Sequence, residues 1–181
     1  MLNHRFFLFL LLCALIFSCS KKQVKNGNYL LINKATGKCL DLNIKCLEKN
    51  GCNVQLWDIR EEKKNQIWSM EKIDNNNDYK IISYASGNVL DADQSTLEQD
   101  AGEVQVWDWM DRDNQIWRIE SVDKEYFHII MNHVDKYLSI PKQTDRNGAP
   151  VQLLDLDNTG SDHQQWKFEP KAVPELHKVI Q

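Results

Sequence analysis

What this sequence lacks narrows its chemistry before anything it contains is considered. It has no H-E-x-x-H, no G-x-S-x-G, no P-loop and no glycine-rich dinucleotide turn, so the short motifs of zinc proteases, serine hydrolases and nucleotide sites are missing. His128, His133, His163 and His177 fall at no metal-ligand spacing. The stretch DLDNTG at 155–160 starts like a calcium loop, but its twelfth position is Trp166, where a bidentate glutamate is required. No C-x-x-C is present. Neither a metal nor a cofactor is expected. Asp91 and Asp93 are paired acids, yet alternation along a strand puts both on one open face, whereas a glycosidase sets its two carboxyls across a cleft. Enzymatic activity is not expected. Basic residues are also short: 22 Lys and Arg stand against 26 Asp and Glu, a net charge of −4, and the cationic pair in EEKK at 61–64 carries its own acids. Nucleic acid, which is bound through clustered Lys and Arg, is therefore not an expected partner. Finally, no extended i, i+3, i+4 apolar pattern calls for a helix, and no apolar run reaches the roughly 20 residues of a spanning one.

What is present begins with a leader. NHR, then FFLFLLLCALIF, then SCS give a short cationic start, an apolar run and a small residue at the break, the pattern of a secretory signal. Ile16-Phe17-Ser18-Cys19 resembles the lipobox of bacterial lipoproteins. That resemblance implies an exported chain, cut after residue 18, acylated (with palmitate, for example) on Cys19 and anchored to a membrane. The leaflet is open, the cell surface included, and an ordinary signal peptide with an incidental cysteine is the alternative. The polar, aperiodic residues up to 27 suggest a tether. Removing residues 1–18 takes away Arg5, so the charge becomes −4 − 1 = −5. About 160 residues remain, enough for one domain with a core.

Those residues repeat themselves. NQIW occurs at 65–68 and 114–117 and HQQW at 163–166, at intervals of 114 − 65 = 49 and 163 − 114 = 49. The similarity extends over 28–73, 78–122 and 125–171. Each copy has an opening tyrosine (Tyr29, Tyr79, Tyr126), a turn before a leucine (Leu40, Leu90, Leu138), a VQ glutamine (Gln55, Gln105, Gln152) and a closing tryptophan (Trp68, Trp117, Trp166). Such a period implies one supersecondary unit used three times, no copy of which can bury its apolar face alone. Within a copy, short alternating apolar stretches broken by TGK, EKNG and EEKKN predict about four strands. Twelve short strands with threefold symmetry suit a closed or capped barrel, which leaves no exposed edges. Residues 172–181 have no repeat partner and form a tail.

Three Q-x-W copies at this spacing, each with an upstream leucine and VQ pair, resemble the ricin B-type lectin family over residues 28 to about 170. The resemblance implies an all-β fold, the β-trefoil, built of three four-stranded repeats with pseudo-threefold symmetry. It also implies a shallow sugar site per copy, made of an aspartate after the second strand's leucine, an aromatic two residues past the VQ glutamine, and the Asn-Gln before the closing tryptophan. Asp41, Gln55, Trp57, Asn65 and Gln66 supply the set in the first copy, and Asp91, Gln105, Trp107, Asn114 and Gln115 in the second. The third keeps Gln152 and Gln164 but has Ser139, Leu154 and His163 at the other positions. The three closing tryptophans persist where the sugar groups are lost, which assigns them to the core; the glutamines before them also suit a structural role. By contrast the aspartate, aromatic and asparagine vanish as a set, which is most simply one site. An indole covers the C–H face of a pyranose, while a carboxylate accepts from vicinal hydroxyls bidentately and an asparagine amide donates and accepts. The expectation is a membrane-anchored glycan-binding lipoprotein with two sugar sites. A protein-interaction or toxin-targeting trefoil, and a binding component serving a separate glycosidase, are the alternatives. Trp109 shares a face with Trp107 and either widens that platform or packs downward. Of the five cysteines, Cys39, Cys46 and Cys52 lie in the first repeat. Export permits a disulfide, Cys46–Cys52 across the loop or Cys39–Cys52 as its rival.

Overall fold

The computed structural model describes residues 22–173 except 48 and 75. The leader, Cys19 and residues 174–181 of the tail lie outside the described residues. In the first repeat the strands are β1 (Gly27–Asn33), β2 (Cys39–Leu42), β3 (Cys52–Trp57) and β4 (Trp68–Lys72). The second has β5 (Asp78–Ser83), β6 (Val89–Ala92), β7 (Gly102–Trp107) and β8 (Trp117–Ser121). The third has β9 (Tyr126–Met131), β10 (Lys136–Ser139), β11 (Ala149–Pro150), β12 (Gln152–Leu154) and β13 (Trp166–Pro170). The thirteenth strand arises from a division. Pro150 stands where the other repeats have Asn53 and Glu103, and a proline offers no N–H to the ladder.

Two closed rings organise the molecule. The first and last strands of the repeats pair antiparallel in the order β1–β4–β5–β8–β9–β13 and back to β1, a six-stranded barrel. The middle strands form hairpins, β2–β3, β6–β7 and β10–β12, over one end of it. The hairpins join one another through β3–β7, β7–β12 and β11–β3, with Asn53 opposite Gln105, Glu103 opposite Gln152, and Pro150 opposite Gln55. This is a β-trefoil, all-β apart from short 3-10 turns.

The closing tryptophans join the two rings. Trp68, Trp117 and Trp166 are each 0% exposed. Their indole Nε1 groups donate to the carbonyl oxygens of Leu40, Leu90 and Leu138 at 3.0, 2.9 and 2.8 Å. Each indole thus fills the barrel end with apolar surface while its one polar atom pins a hairpin strand. Leu40, Leu90, Leu138, Val54, Val104 and Val151 complete the buried layer beneath the hairpins.

The opening aromatics differ from the sequence reading in one repeat. Tyr29 pairs with Trp68 and Tyr79 with Trp117, but Trp166 faces Phe127 rather than Tyr126. The alternation therefore turns Phe127 inward, and Tyr126 lies beneath the Lys34 ammonium, 5.0 Å from its ring centroid. The stretch read as a tether also behaves as part of the domain from residue 22. Val24 is buried in the core, and its carbonyl accepts the Tyr79 hydroxyl at 2.7 Å. Because Gly27 pairs with Met70, past the start of β4, this segment enters at the barrel end opposite the hairpins. Cys46 and Cys52 form a disulfide, and Cys39 stays a buried thiol that burial pushes up to about 12.

Two outcomes follow from this packing. Trp117→Ala removes a fully buried indole and orphans the Leu90 carbonyl, so chemical denaturation should show a loss of about 3–5 kcal/mol. Cys39 should resist iodoacetamide in the native protein and react once it is unfolded, as read by mass spectrometry.

Candidate functional site

Two pockets lie between a hairpin and the loop leading into the following barrel strand. In the first, the β2–β3 register sets Asp41 opposite Gln55. Alternation along β3 sends Val54 and Leu56 inward and leaves Gln55 and Trp57 partly exposed. The 3-10 turn Lys64–Gln66 then brings two consecutive side chains back to the same carboxylate. Gln55 Nε2 donates to Asp41 Oδ1 at 2.9 Å, and Asn65 Nδ2 and Gln66 Nε2 donate to Oδ2 at 2.8 and 3.0 Å. All five residues expected from the sequence line this one pocket, with Ile44, Arg60 and Lys63 on its rim.

The second pocket repeats the arrangement. Gln105 Nε2 reaches Asp91 Oδ1 at 3.1 Å, and Asn114 Nδ2 and Gln115 Nε2 reach Oδ2, both at 2.9 Å. The same five positions line it, and its rim carries Asp93, Gln94, Met110 and Arg112. Trp107 is 38% exposed. Trp109 lies under the Lys80 ammonium, 4.9 Å from the ring centroid, rather than in the pocket lining.

Counting donors and acceptors shows what each pocket can offer. A carboxylate has about four acceptor positions, and three are taken on Asp41, which leaves one on Oδ1. Both Asn65 amide protons are spent, the second on Leu42 O at 2.9 Å, so only its carbonyl oxygen remains. Gln66 spends its second proton on Asp58 O and accepts from Arg60 N, so it orients the site from a fully buried position. Gln55 keeps one N–H. The pocket therefore presents one carboxylate acceptor, one amide acceptor and one amide donor beside a half-buried indole. This is narrower than the bidentate carboxylate and donating asparagine expected from residue types, because three amides have already claimed those capacities. Asn114 in the second pocket also accepts from Gln94 Nε2 at 3.1 Å; Ile44 occupies the corresponding place in the first.

The third repeat keeps the support without the site. Gln164 Nε2 donates to Ser139 Oγ and to Asp155 O, both at 2.9 Å, and Gln164 Oε1 accepts from Asp157 N at 2.8 Å. Those are the bonds Gln66 and Gln115 make, with a serine hydroxyl in place of the carboxylate. His163 replaces the asparagine and is buried, and burial lowers its pKa from the ordinary histidine value. The rim residues Arg60, Lys63, Gln94, Met110 and Arg112 were not picked out from the sequence, and Asp93 was read there only as half of an acid pair with Asp91. Their one available signal was a common offset: Arg60 and Met110 both lie five residues past the VQ glutamine.

Against known proteins, the chain matches the model of the ricin-type beta-trefoil lectin domain-like family over residues 16–107, 64–154 and 113–175. Among solved structures it is similar to ThreeFoil, a designed threefold-symmetric protein, with 26% identity and a TM-score of 0.73 over 81% of this chain and 100% of that one. It is also similar to the agglutinin of Rhizoctonia solani, with 22% identity and a TM-score of 0.71 over 84% and 100%. A ricin B-like lectin of Macrolepiota procera, solved in complex with lactose, gives 20% identity and a TM-score of 0.67 over 83% and 100%. Among curated proteins none matches.

The buried carboxyls give a pH signature. Burial raises Asp41 and Asp91 above the ordinary aspartate value, against the opposing pull of their three amide bonds. Arg60 further lowers Asp41, whereas Asp93 raises Asp91. Each acid is bound more tightly by protons in the folded state, so the stability it contributes is full below the unfolded value of about 3.9 and is lost as pH rises through the folded value. Carbon-13 carboxyl shifts followed against pH should show both groups titrating above ordinary aspartates.

Proposed function

This chain belongs to the ricin-type beta-trefoil lectin domain-like family, and from that membership we propose that it binds carbohydrate through the pockets of its first and second repeats, the third repeat holding no sugar. The observation that carries the reading is the repetition of one carboxylate–amide cluster beside an indole in two separate pockets. Asp41 with Gln55, Asn65 and Trp57, and Asp91 with Gln105, Asn114 and Trp107, each leave an aspartate acceptor and a glutamine N–H open beside an indole, and the asparagine oxygen is open in the first pocket and shared with Gln94 in the second. Adjacent equatorial hydroxyls on a pyranose can donate to the aspartate and asparagine oxygens and accept from the glutamine N–H. The C–H face then lies on the ring. Gln66 and Gln115 fix the aspartates from beneath. The rim of each pocket is open, so much of the ligand stays hydrated, and a single-site dissociation constant near 1 mM, about −4 kcal/mol, is expected. We assign the site binding and no catalysis.

The anchor belongs to the same proposal. Acylation of Cys19 would attach the domain by the segment that enters the barrel end opposite the hairpins, which leaves both pockets on the half of the molecule away from the membrane. Many copies on one surface then multiply weak contacts with a polymeric glycan. A protein-interaction role is the second reading, favoured by the exposed Trp109 and Met110 beside the second pocket.

A glycan array probed with residues 20–181 discriminates the two. Trp57→Ala with Trp107→Ala should abolish binding at millimolar glycan concentration and leave the fold intact by circular dichroism. These indoles are a cleaner target than the aspartates, whose removal leaves three amide donors unpaired at about 1–3 kcal/mol for each buried group. Wild-type protein that binds no glycan would overturn the lectin reading in favour of a protein partner. Mass spectrometry of the membrane-extracted protein should show an acylated Cys19 at its N-terminus.

A further inference from the structure

Each complete pocket is braced by a neighbouring repeat. The loop before β3 of the first repeat crosses to the second pocket: Asn50 Nδ2 donates to Asp108 Oδ2 at 2.8 Å, and Asp108 N donates back to Asn50 Oδ1 at 2.9 Å. Gly51 N donates to Val106 O at 3.0 Å. The loop before β11 of the third repeat crosses in the same way to the first pocket. Asn147 Nδ2 donates to Asp58 Oδ2 at 2.7 Å, Asp58 N donates to Asn147 Oδ1 at 2.8 Å, and Gly148 N donates to Leu56 O at 2.9 Å. Asp58 and Asp108 each directly follow the platform tryptophan.

The glycines matter because of what they face. A Cβ on Gly51 would sit 3.6 Å from Trp107 Cζ3 and 3.5 Å from Gln105 Oε1; one on Gly148 would sit 3.7 Å from Trp57 Cζ3 and 3.9 Å from Gln55 Oε1. Both glycines have φ near +80°, at 79° and 78°, a conformation that favours glycine. The loop backbone therefore lies against the indole edge and the carbonyl end of the VQ glutamine, which turns the glutamine's amide toward the aspartate. Around the threefold axis the remaining loop, that of the second repeat, would serve the third pocket. It carries Asp100 and Ala101 at these positions, and Asp155 stands in the sequence where Asp58 and Asp108 stand in the other repeats. Neither side chain carries the amide N–H that Asn50 and Asn147 donate, and among the described residues no hydrogen bond joins Asp100 to Asp155. The Asn-Gly pair is thus absent at the one site where the aspartate, aromatic and asparagine are also absent.

We infer that each sugar site of this protein is a composite of two repeats, with Asn147–Gly148 and Asn50–Gly51 as positioning residues for Trp57 with Gln55 and for Trp107 with Gln105. The third repeat, empty itself, completes the first site. The inference rests on the carbohydrate reading of the two pockets, but its geometry can be tested without a ligand.

Asn147→Asp copies the third-pocket arrangement by setting a carboxylate against Asp58, and Asp58→Asn in the same chain restores a donor with the polarity reversed. In the full mature protein, the Trp57 indole N–H resonance should shift in Asn147→Asp, return toward its original position in the double variant, and leave Trp107 unmoved in both. Lactose titrated into these proteins in a Trp107→Ala background, which isolates the first site, should bind about tenfold more weakly to Asn147→Asp, about 1.4 kcal/mol, and recover in the double variant. An unmoved Trp57 resonance, or a shift that the second substitution does not reverse, overturns the composite site whether or not lactose binds. Lactose that fails to bind the parent protein counts against the sugar assignment instead, and the indole resonances still decide the inference.

Discussion

An amide that cannot reach water must find partners inside the protein, and in this fold that requirement is met three times by one glutamine per repeat. Gln66, Gln115 and Gln164 are essentially unexposed, and each ties together a hairpin residue, a loop carbonyl and a loop N–H. Leaving such a group unpaired costs about 1–3 kcal/mol, so the loop between third and fourth strands is fixed wherever this glutamine is present. Two residues later the closing tryptophan secures the same repeat to the barrel. Core and site are therefore successive residues of one short segment, and a pocket can be gained or lost without disturbing what lies beneath it.

The third repeat illustrates that independence. Ser139 takes the aspartate's place as acceptor for Gln164 and donates its own proton to Tyr137 O at 2.6 Å, so no buried charge remains. The scaffold loses nothing by the exchange, since an ionised carboxyl at this depth needs several donors to be tolerated. What a composite site adds is dependence in the other direction. A repeat that has lost its own ligand groups can still be constrained by the neighbour whose indole it supports.

The fold was legible because its signals are periodic. Three tryptophans at equal spacing and short alternating stretches specify repeat, strand number and closure together, and the resemblance supplied the topology. Departures came where a local residue overrode the period: Pro150 divided a strand, Phe127 took the inward position one residue after Tyr126, and Val24 drew a polar-looking stretch onto the barrel. At the two pockets, the convergence of the five residues was readable and their hydrogen-bond capacities were not. Nothing in residue types says that both Asn65 protons are consumed internally. Nor could the sequence place Asn147 near Trp57, since they lie 147 − 57 = 90 residues apart and meet only through the threefold arrangement of the hairpins.

The same accounting argues for weak, repeated binding. Burial favours the neutral form of Asp41 and Asp91, and the three amides around each oppose that by stabilising the charge. A carboxylate so deep in the protein keeps its charge only by filling most of its own acceptor positions. The better the aspartate is preorganised, the less of it is left for a ligand, and one open carboxylate position per pocket sets a low ceiling on the polar contribution to affinity. More strength from a single pocket would require more exposed acceptors, and those would be solvated and less rigid. Repetition avoids the conflict: on the proposed carbohydrate reading, a second pocket on the same rigid trefoil would raise the effective concentration for a multivalent glycan without altering the buried cluster on which either pocket depends.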